Sequence, residues 1–160
     1  GDGLAMMERF LSGEWSGEGA FASGKRIAAD AAFHPIVEGK WLAYTHADRP
    51  PGRYRAHGVL GLAHPGRMIM TLHDSSGGAR LFSGARWCNG RIALDKQLDL
   101  ARPGHTLADA ERERFLFERV ADDRLKMTYQ RGTDEGGWRL VDFVVFDREP
   151  AQGRDADPGP

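Results

Sequence analysis

With 160 residues, 22 Lys and Arg against 23 Asp and Glu, and a formal charge of −1, the chain has the length of one domain, able to bury roughly 68–70 % of its unfolded surface. The charge balance excludes the basic footprint of a nucleic-acid binder, and the close pairs Arg53/Arg55 and Arg112/Arg114 have the i, i+2 spacing of one solvated strand face. A single cysteine, Cys88, excludes an intrachain disulfide, and no apolar run reaches the ~18 residues of a membrane span, so a soluble, cytoplasmic protein without a membrane partner is expected.

Leu4, Met7, Phe10 and Leu11 fall on one helical face, with Asp2 placed to cap its start and Gly13 just past its end. A short N-terminal helix that covers one end of the fold is expected. Next, Gly13, Gly17 and Gly19 alternate with Trp15, leaving one strand face nearly bare, so that another backbone or a ring can press against it. Beyond that point helical periodicity is scarce and turn chemistry recurs. The breaks are Ala22-Ser23-Gly24-Lys25, Glu38-Gly39-Lys40, Arg49-Pro50-Pro51-Gly52, His64-Pro65-Gly66, Ser75-Ser76-Gly77-Gly78, Asn89-Gly90, Arg102-Pro103-Gly104, Asp122-Asp123 and Asp134-Glu135-Gly136-Gly137.

Nine breaks imply ten strands. Asn89-Gly90 is the sharpest signal, because a type I′ hairpin turn needs positive φ at both central residues. Short strands joined by tight turns make an antiparallel meander, whose closed form is an up-and-down β-barrel. The fold expected is therefore all-β, a ten-stranded antiparallel barrel over residues 1–149. The one long connection, 96–110, holds a loop or an extended hairpin tip. The tail 150–160, rich in Pro, Gly, Asp and Arg, is expected to be disordered. Ten strands also exceed the eight that side chains alone can fill. An interior cavity follows, of the kind that holds one small apolar or amphipathic molecule.

The run Leu11-Ser12-Gly13-Glu14-Trp15-Ser16-Gly17-Glu18-Gly19 resembles the G-x-W-x-G-x-G opening of calycin-superfamily barrels, the fatty-acid-binding-protein-like and nitrobindin-like groups and the lipocalin-like bacterial domains of unknown function. Glu38-Gly39-Lys40-Trp41-Leu42-Ala43-Tyr44-Thr45 is similar to the G-K-x-L-x-Y third strand of nitrobindin-like proteins, and His57-Gly58-Val59-Leu60-Gly61 to the strand that follows in the uncharacterised domains. The resemblance spans about residues 8–148 and implies small-molecule binding, with homodimers as a plausible assembly. Nitrobindins hold haem iron through a histidine near the C-terminal end, whereas no histidine follows His105 here. Haem is therefore not expected, nor any other cofactor.

The polar residues supply a candidate site. His34 and His64 each precede a proline and suit turns; His105 lies in the long connection. Alternation puts Leu42, Tyr44 and His46 on one face of the third strand and His57 with Arg53 and Arg55 on the solvent face of the fourth. In the fifth, Met68, Met70 and Leu72 oppose Ile69, Thr71 and His73, and in the sixth Phe82, Gly84, Arg86 and Cys88 oppose Leu81, Ser83, Ala85 and Trp87. Parity alone does not decide which of these faces looks inward. The candidate ligand-binding residues are Tyr44, His46, Met70, His73, Arg86 and Tyr129, with Tyr44, His46, His73 and Arg86 converging on an acidic group or moving protons. No His-x-His, cysteine pair or Glu-x-x-His marks a metal site, no serine elbow marks a hydrolase, and Cys88 is expected to be a buried structural thiol. Three functions compete: a binding barrel, a small lyase or isomerase using inward Tyr, His and Arg, and a homodimeric interaction module whose barrel is filled.

Overall fold

The computed structural model describes residues 3–63, 66–101 and 111–150. A helix, α1 (Gly3–Leu11), precedes ten strands: β1 (Gly13–Phe21), β2 (Arg26–Ile36), β3 (Trp41–Asp48), β4 (Arg55–Ala63), β5 (Arg67–Asp74), β6 (Ala79–Gly84), β7 (Arg91–Asp99), β8 (Glu113–Ala121), β9 (Arg124–Gly132) and β10 (Trp138–Arg148). Each strand pairs antiparallel with its chain neighbours, and β1 pairs with β10, so the sheet closes into a barrel. Seven of the nine expected breaks fall within the described residues, and all seven lie between strands. The Asp2 cap, His64-Pro65, the Arg102-Pro103-Gly104 break, His105 and the tail beyond residue 150 lie outside the described residues.

Local chemistry explains the turns and the closure. Asn89 and Gly90 have φ of 53° and 75°, as a type I′ turn demands, and Cys88 and Arg91 exchange backbone hydrogen bonds across them. On β1 the bare glycine face receives a neighbouring backbone: a Cβ at Gly19 would stand 1.8 Å from the carbonyl oxygen of Phe143, and one at Gly17 2.0 Å from that of Val145. Only glycine lets β10 come this near.

The inward faces follow strict alternation over most of the wall. Leu42 and Tyr44 on β3, Ala56 and Leu60 on β4, and Met68, Met70 and Leu72 on β5 are buried, while His57 and His73 pair across β4 and β5 on the exposed face. At the end where β1 begins, α1 lays Met7, Phe10 and Leu11 into the barrel, and Phe10 packs against Trp15 at 5.4 Å and Trp87 at 5.8 Å between ring centroids. The carbonyls that end the helix would otherwise lack partners. Trp15 Nε1 donates to Leu11 O at 2.8 Å. Arg148 donates to Ser12 O at 2.8 Å and Phe10 O at 2.5 Å, with its guanidinium 4.3 Å from the Trp15 ring centre. One end of the barrel is thereby stoppered.

The expectation of a buried Cys88 is corrected: the thiol is exposed. β6 ends at Gly84, and the chain leading to the Asn89-Gly90 turn sends Trp87 inward and leaves Cys88 outside.

Trp15 closes the helix end and lines no part of the cavity described below. Trp15→Ala is expected to cost about 3–5 kcal/mol in urea unfolding, with the folded fraction keeping its affinity for a cavity probe.

Candidate ligand-binding site

The opposite end of the barrel is built differently. There the end of β1, the start of β2, and the ends of β3, β5 and β9 that lead into turns surround a cavity of about 350 Å³. Its floor is apolar, with Met70, Leu72, Phe117, Met127, Val144 and Phe146 all buried. Tyr44, Tyr54, Phe115 and Tyr129 add aromatic walls, and the charged groups gather nearer the rim.

One polar group is a chain along β3. Asp48 Oδ1 lies 2.8 Å from His46 Nε2, and His46 Nδ1 lies 3.1 Å from the Tyr44 hydroxyl. An ionised carboxylate can only accept, so Nε2 carries the proton, and in the neutral imidazole Nδ1 accepts from Tyr44. Burial, reinforced by the nearby Tyr54, Asp48 and Asp142, holds the Tyr44 hydroxyl well above its ordinary pKa. It therefore stays protonated and donates.

A second group links β5, β6, β7, β8 and β9. Arg80 Nη2 donates to Asp74 Oδ2 at 3.0 Å, and Arg80 Nη1 donates to Glu113 Oε1. Glu113 also accepts from Lys96 Nζ and from the Tyr129 hydroxyl, each at 2.5 Å. Asp74 accepts further from the Tyr54 hydroxyl at 3.2 Å. Burial alone would raise the Glu113 carboxyl, but hydrogen bonds from Lys96 and Tyr129 and the charge of Arg80 outweigh it and hold the pKa below the usual range. Burial and the bond to Glu113 push the Tyr129 hydroxyl up to about 12. This network is neutral in sum and saturated with partners, the condition under which charges stay in a partly dry interior.

Asp142 stands apart. A bulge at Val141 shifts the β10–β9 register between Leu140 and Asp142, and Asp142 joins Val144 and Phe146 in lining the cavity. Burial raises its pKa to about 6, with Asp48 adding to the rise and His46 and Arg131 opposing it. Among the described residues its carboxylate has no hydrogen-bond partner, whereas Asp48, Asp74 and Glu113 all do.

Of the candidate residues, Tyr44, His46, Met70 and Tyr129 line this cavity and His73 and Arg86 do not. The expected convergence of Tyr44 and His46 with His73 and Arg86 is corrected accordingly. His73 alternates with the buried Met70 and Leu72 and so faces outward. Arg86 follows the end of β6 and reaches back to Gly66 O at 3.5 Å, near the β4–β5 turn. The arginines that line the cavity are Arg80, on the same parity as Phe82, and Arg131 on β9. Sequence reasoning also passed over Asp48, Asp74, Glu113, Arg131 and Asp142. The available signal for the last was a carboxylate inside the apolar run 140–146, in step with Val144 and Phe146.

Among the described residues no cluster of three or more His, Cys, Asp or Glu side chains is arranged to hold a metal ion. Haem does not fit the donor set either. His46 is the one histidine among the described residues that lines the cavity, and both its ring nitrogens are engaged, with Asp48 and with Tyr44.

Fold and site together define a closed ten-stranded antiparallel barrel, stoppered at one end by a helix and hollow at the other. Its fold is similar to that of Rv2717c from M. tuberculosis, with a TM-score of 0.69 at 19 % identity, over 94 % of this chain and 99 % of that one. A de novo designed fluorescence-activating β-barrel aligns with a TM-score of 0.48 at 10 % identity, over 88 % of this chain and 95 % of that one. No family model matches the chain, and no curated protein does.

Two stability measurements probe the electrostatics. Glu113→Gln removes the charge that faces Arg80 and Lys96, and is expected to cost about 3–5 kcal/mol at pH 7. Because the folded pKa is lowered, that contribution is present above the ordinary carboxylate range and is lost as pH falls through the folded value. Asp142 has the opposite sign. Its pKa rises from 3.8 to about 6, so folding is penalised above pH 6 and unpenalised below the unfolded value. Asp142→Asn is expected to stabilise the protein by roughly 2–3 kcal/mol at pH 7.5, the gain shrinking as pH falls from 6 toward 4 in parallel urea titrations.

Proposed function

We propose that this chain is a calycin-like binding barrel that takes one small apolar or amphipathic molecule into its interior. The observation that carries the proposal is the cavity of about 350 Å³ with an apolar floor and polar groups nearer the rim. That volume is within the range of small-molecule sites, and the apolar and aromatic side chains on its walls are the lining such sites use. Ten strands account for the unfilled space. An interaction module built on a filled barrel has no support from such an interior.

The small-enzyme alternative keeps one favourable feature, the Asp48–His46–Tyr44 hydrogen-bond chain. It loses the arginine it was built on, since Arg86 lies outside the cavity. Asp142 is the carboxylate in the cavity with a pKa near neutrality, so any proton chemistry here would begin with it.

Titration with N-phenyl-1-naphthylamine, a neutral probe whose emission rises in apolar surroundings, tests the binding reading. Saturation at one equivalent is expected. Ala56→Phe, which puts a ring into the cavity between His46 and Asp74, is expected to weaken the probe by about ten-fold or more while circular dichroism remains that of the parent. Absence of saturable binding to the parent protein overturns the proposal.

A further inference from the structure

The polar and charged groups in and beside the cavity are matched to one another in every place but one. Arg80 is committed on both arms, to Asp74 and to Glu113. Lys96 is held by Glu113, and His46 by Asp48 and Tyr44. Arg131 donates to the Tyr129 hydroxyl at 3.3 Å and stands 3.9 Å from Glu111. Asp142 alone among these brings a charge into the cavity with no hydrogen-bond partner among the described residues.

Such a group is costly to keep. A half-buried carboxylate against apolar neighbours is unfavourable unless something donates to it, and an asparagine would fit the same space without that cost. The donor that would relieve it is a positive one, because an ammonium both hydrogen-bonds the carboxylate and cancels its charge. The surroundings suit a cation as well: Tyr44, Tyr54, Phe115 and Phe146 line the same cavity, and aromatic faces attract cations. An anionic head group would meet Asp142, Asp48 and Asp74, while Arg80 is held by Asp74 and Glu113 and Arg131 by the Tyr129 hydroxyl with Glu111 nearby.

We propose that the cavity selects an amine carried on an apolar or aromatic body, with its ammonium seated against the Asp142 carboxylate. The proposal rests on the binding function above and names the ligand class that function would serve. It also predicts pH dependence. The charged and titratable groups around Asp142 are Tyr44, His46 and Asp48 from β3 and Tyr129 and Arg131 from β9, and from β1 its register partner Phe21 brings no charge. Protonation of Asp142 near pH 6 removes the anion that holds the amine. Affinity for an amine therefore falls with pH through that value.

Three probes with one indole body separate head group from body: tryptamine, 3-methylindole and indole-3-propionate, titrated calorimetrically. At pH 7.5 tryptamine is expected to bind the parent protein about 10-fold or more tightly than either of the others. Asp142→Asn is expected to weaken tryptamine by about 10- to 100-fold and to leave 3-methylindole unchanged. In the parent, tryptamine is expected to bind about ten-fold more weakly at pH 5 than at pH 7.5. The variant should abolish that slope, which separates Asp142 from His46. Equal tryptamine affinity in parent and variant, a preference for the propionate, or a pH slope that survives in Asp142→Asn overturns the amine site. If 3-methylindole binds the parent, the binding function stands whatever the head-group result. If none of the three binds while N-phenyl-1-naphthylamine saturates, the amine site falls and the binding function stands; if that probe also fails to bind, both fall.

Discussion

The pairing of β1 with β10 is the constraint on which the rest of the molecule depends. It converts a meander into a wall without edges, and it does so at Gly17 and Gly19, where a side chain on β1 would collide with the carbonyls of Val145 and Phe143. Closure removes the exposed hydrogen-bonding row that an open sheet would present. It also sets the interior volume, because ten strands enclose more space than their inward side chains fill.

The two ends of that volume are used in opposite ways. At the helix end, Trp15 and Arg148 satisfy the last carbonyls of α1 and stack on each other, so polar groups there are consumed by the fold itself. At the other end, Asp74, Arg80, Lys96 and Glu113 tie β5 to β8 by mutual hydrogen bonds and ion pairs. That network shapes one wall and leaves it with little net charge. Asp142, on the far strand of the closure, has no comparable partner among the described residues. A fold that satisfies its other cavity carboxylates and leaves one unsatisfied concentrates its chemical bias at a single point.

Much of the fold was legible because it depends on local chemistry. Positive φ at Asn89 and Gly90 and the turn clusters between strands are properties of short segments, and alternation correctly grouped Tyr44 with His46 and separated His57 from Leu60. The site was less legible because it depends on where strands end and bulge. Arg80 and Arg86 have the same parity on paper, but β6 stops at Gly84, so only Arg80 reaches the cavity. His73 was named beside Met70 although alternation opposes them, and its pairing with the outward His57 shows which side it takes. Glu113 joins the Arg80–Lys96 cluster only through the pairing of β6, β7 and β8, which no spacing in the chain reveals.

Asp142 connects the two halves of this account. It lies on β10, the strand that closes the barrel, and its register partner on β1 is Phe21, at the mouth. In an open sheet the same carboxylate would be hydrated and would ionise in the ordinary carboxylate range. Once β10 docks against β1, Asp142 shares a cavity with Val144 and Phe146 and loses much of that water. The group with the strongest claim on a ligand is therefore created by closure, since the contact between backbones at Gly17 and Gly19 is also what partly dries the carboxylate. Any change that loosens the β1–β10 seam would rehydrate Asp142 and weaken the cavity's preference for a cation while the remaining strand pairs stay intact, so selectivity would fail before the fold does.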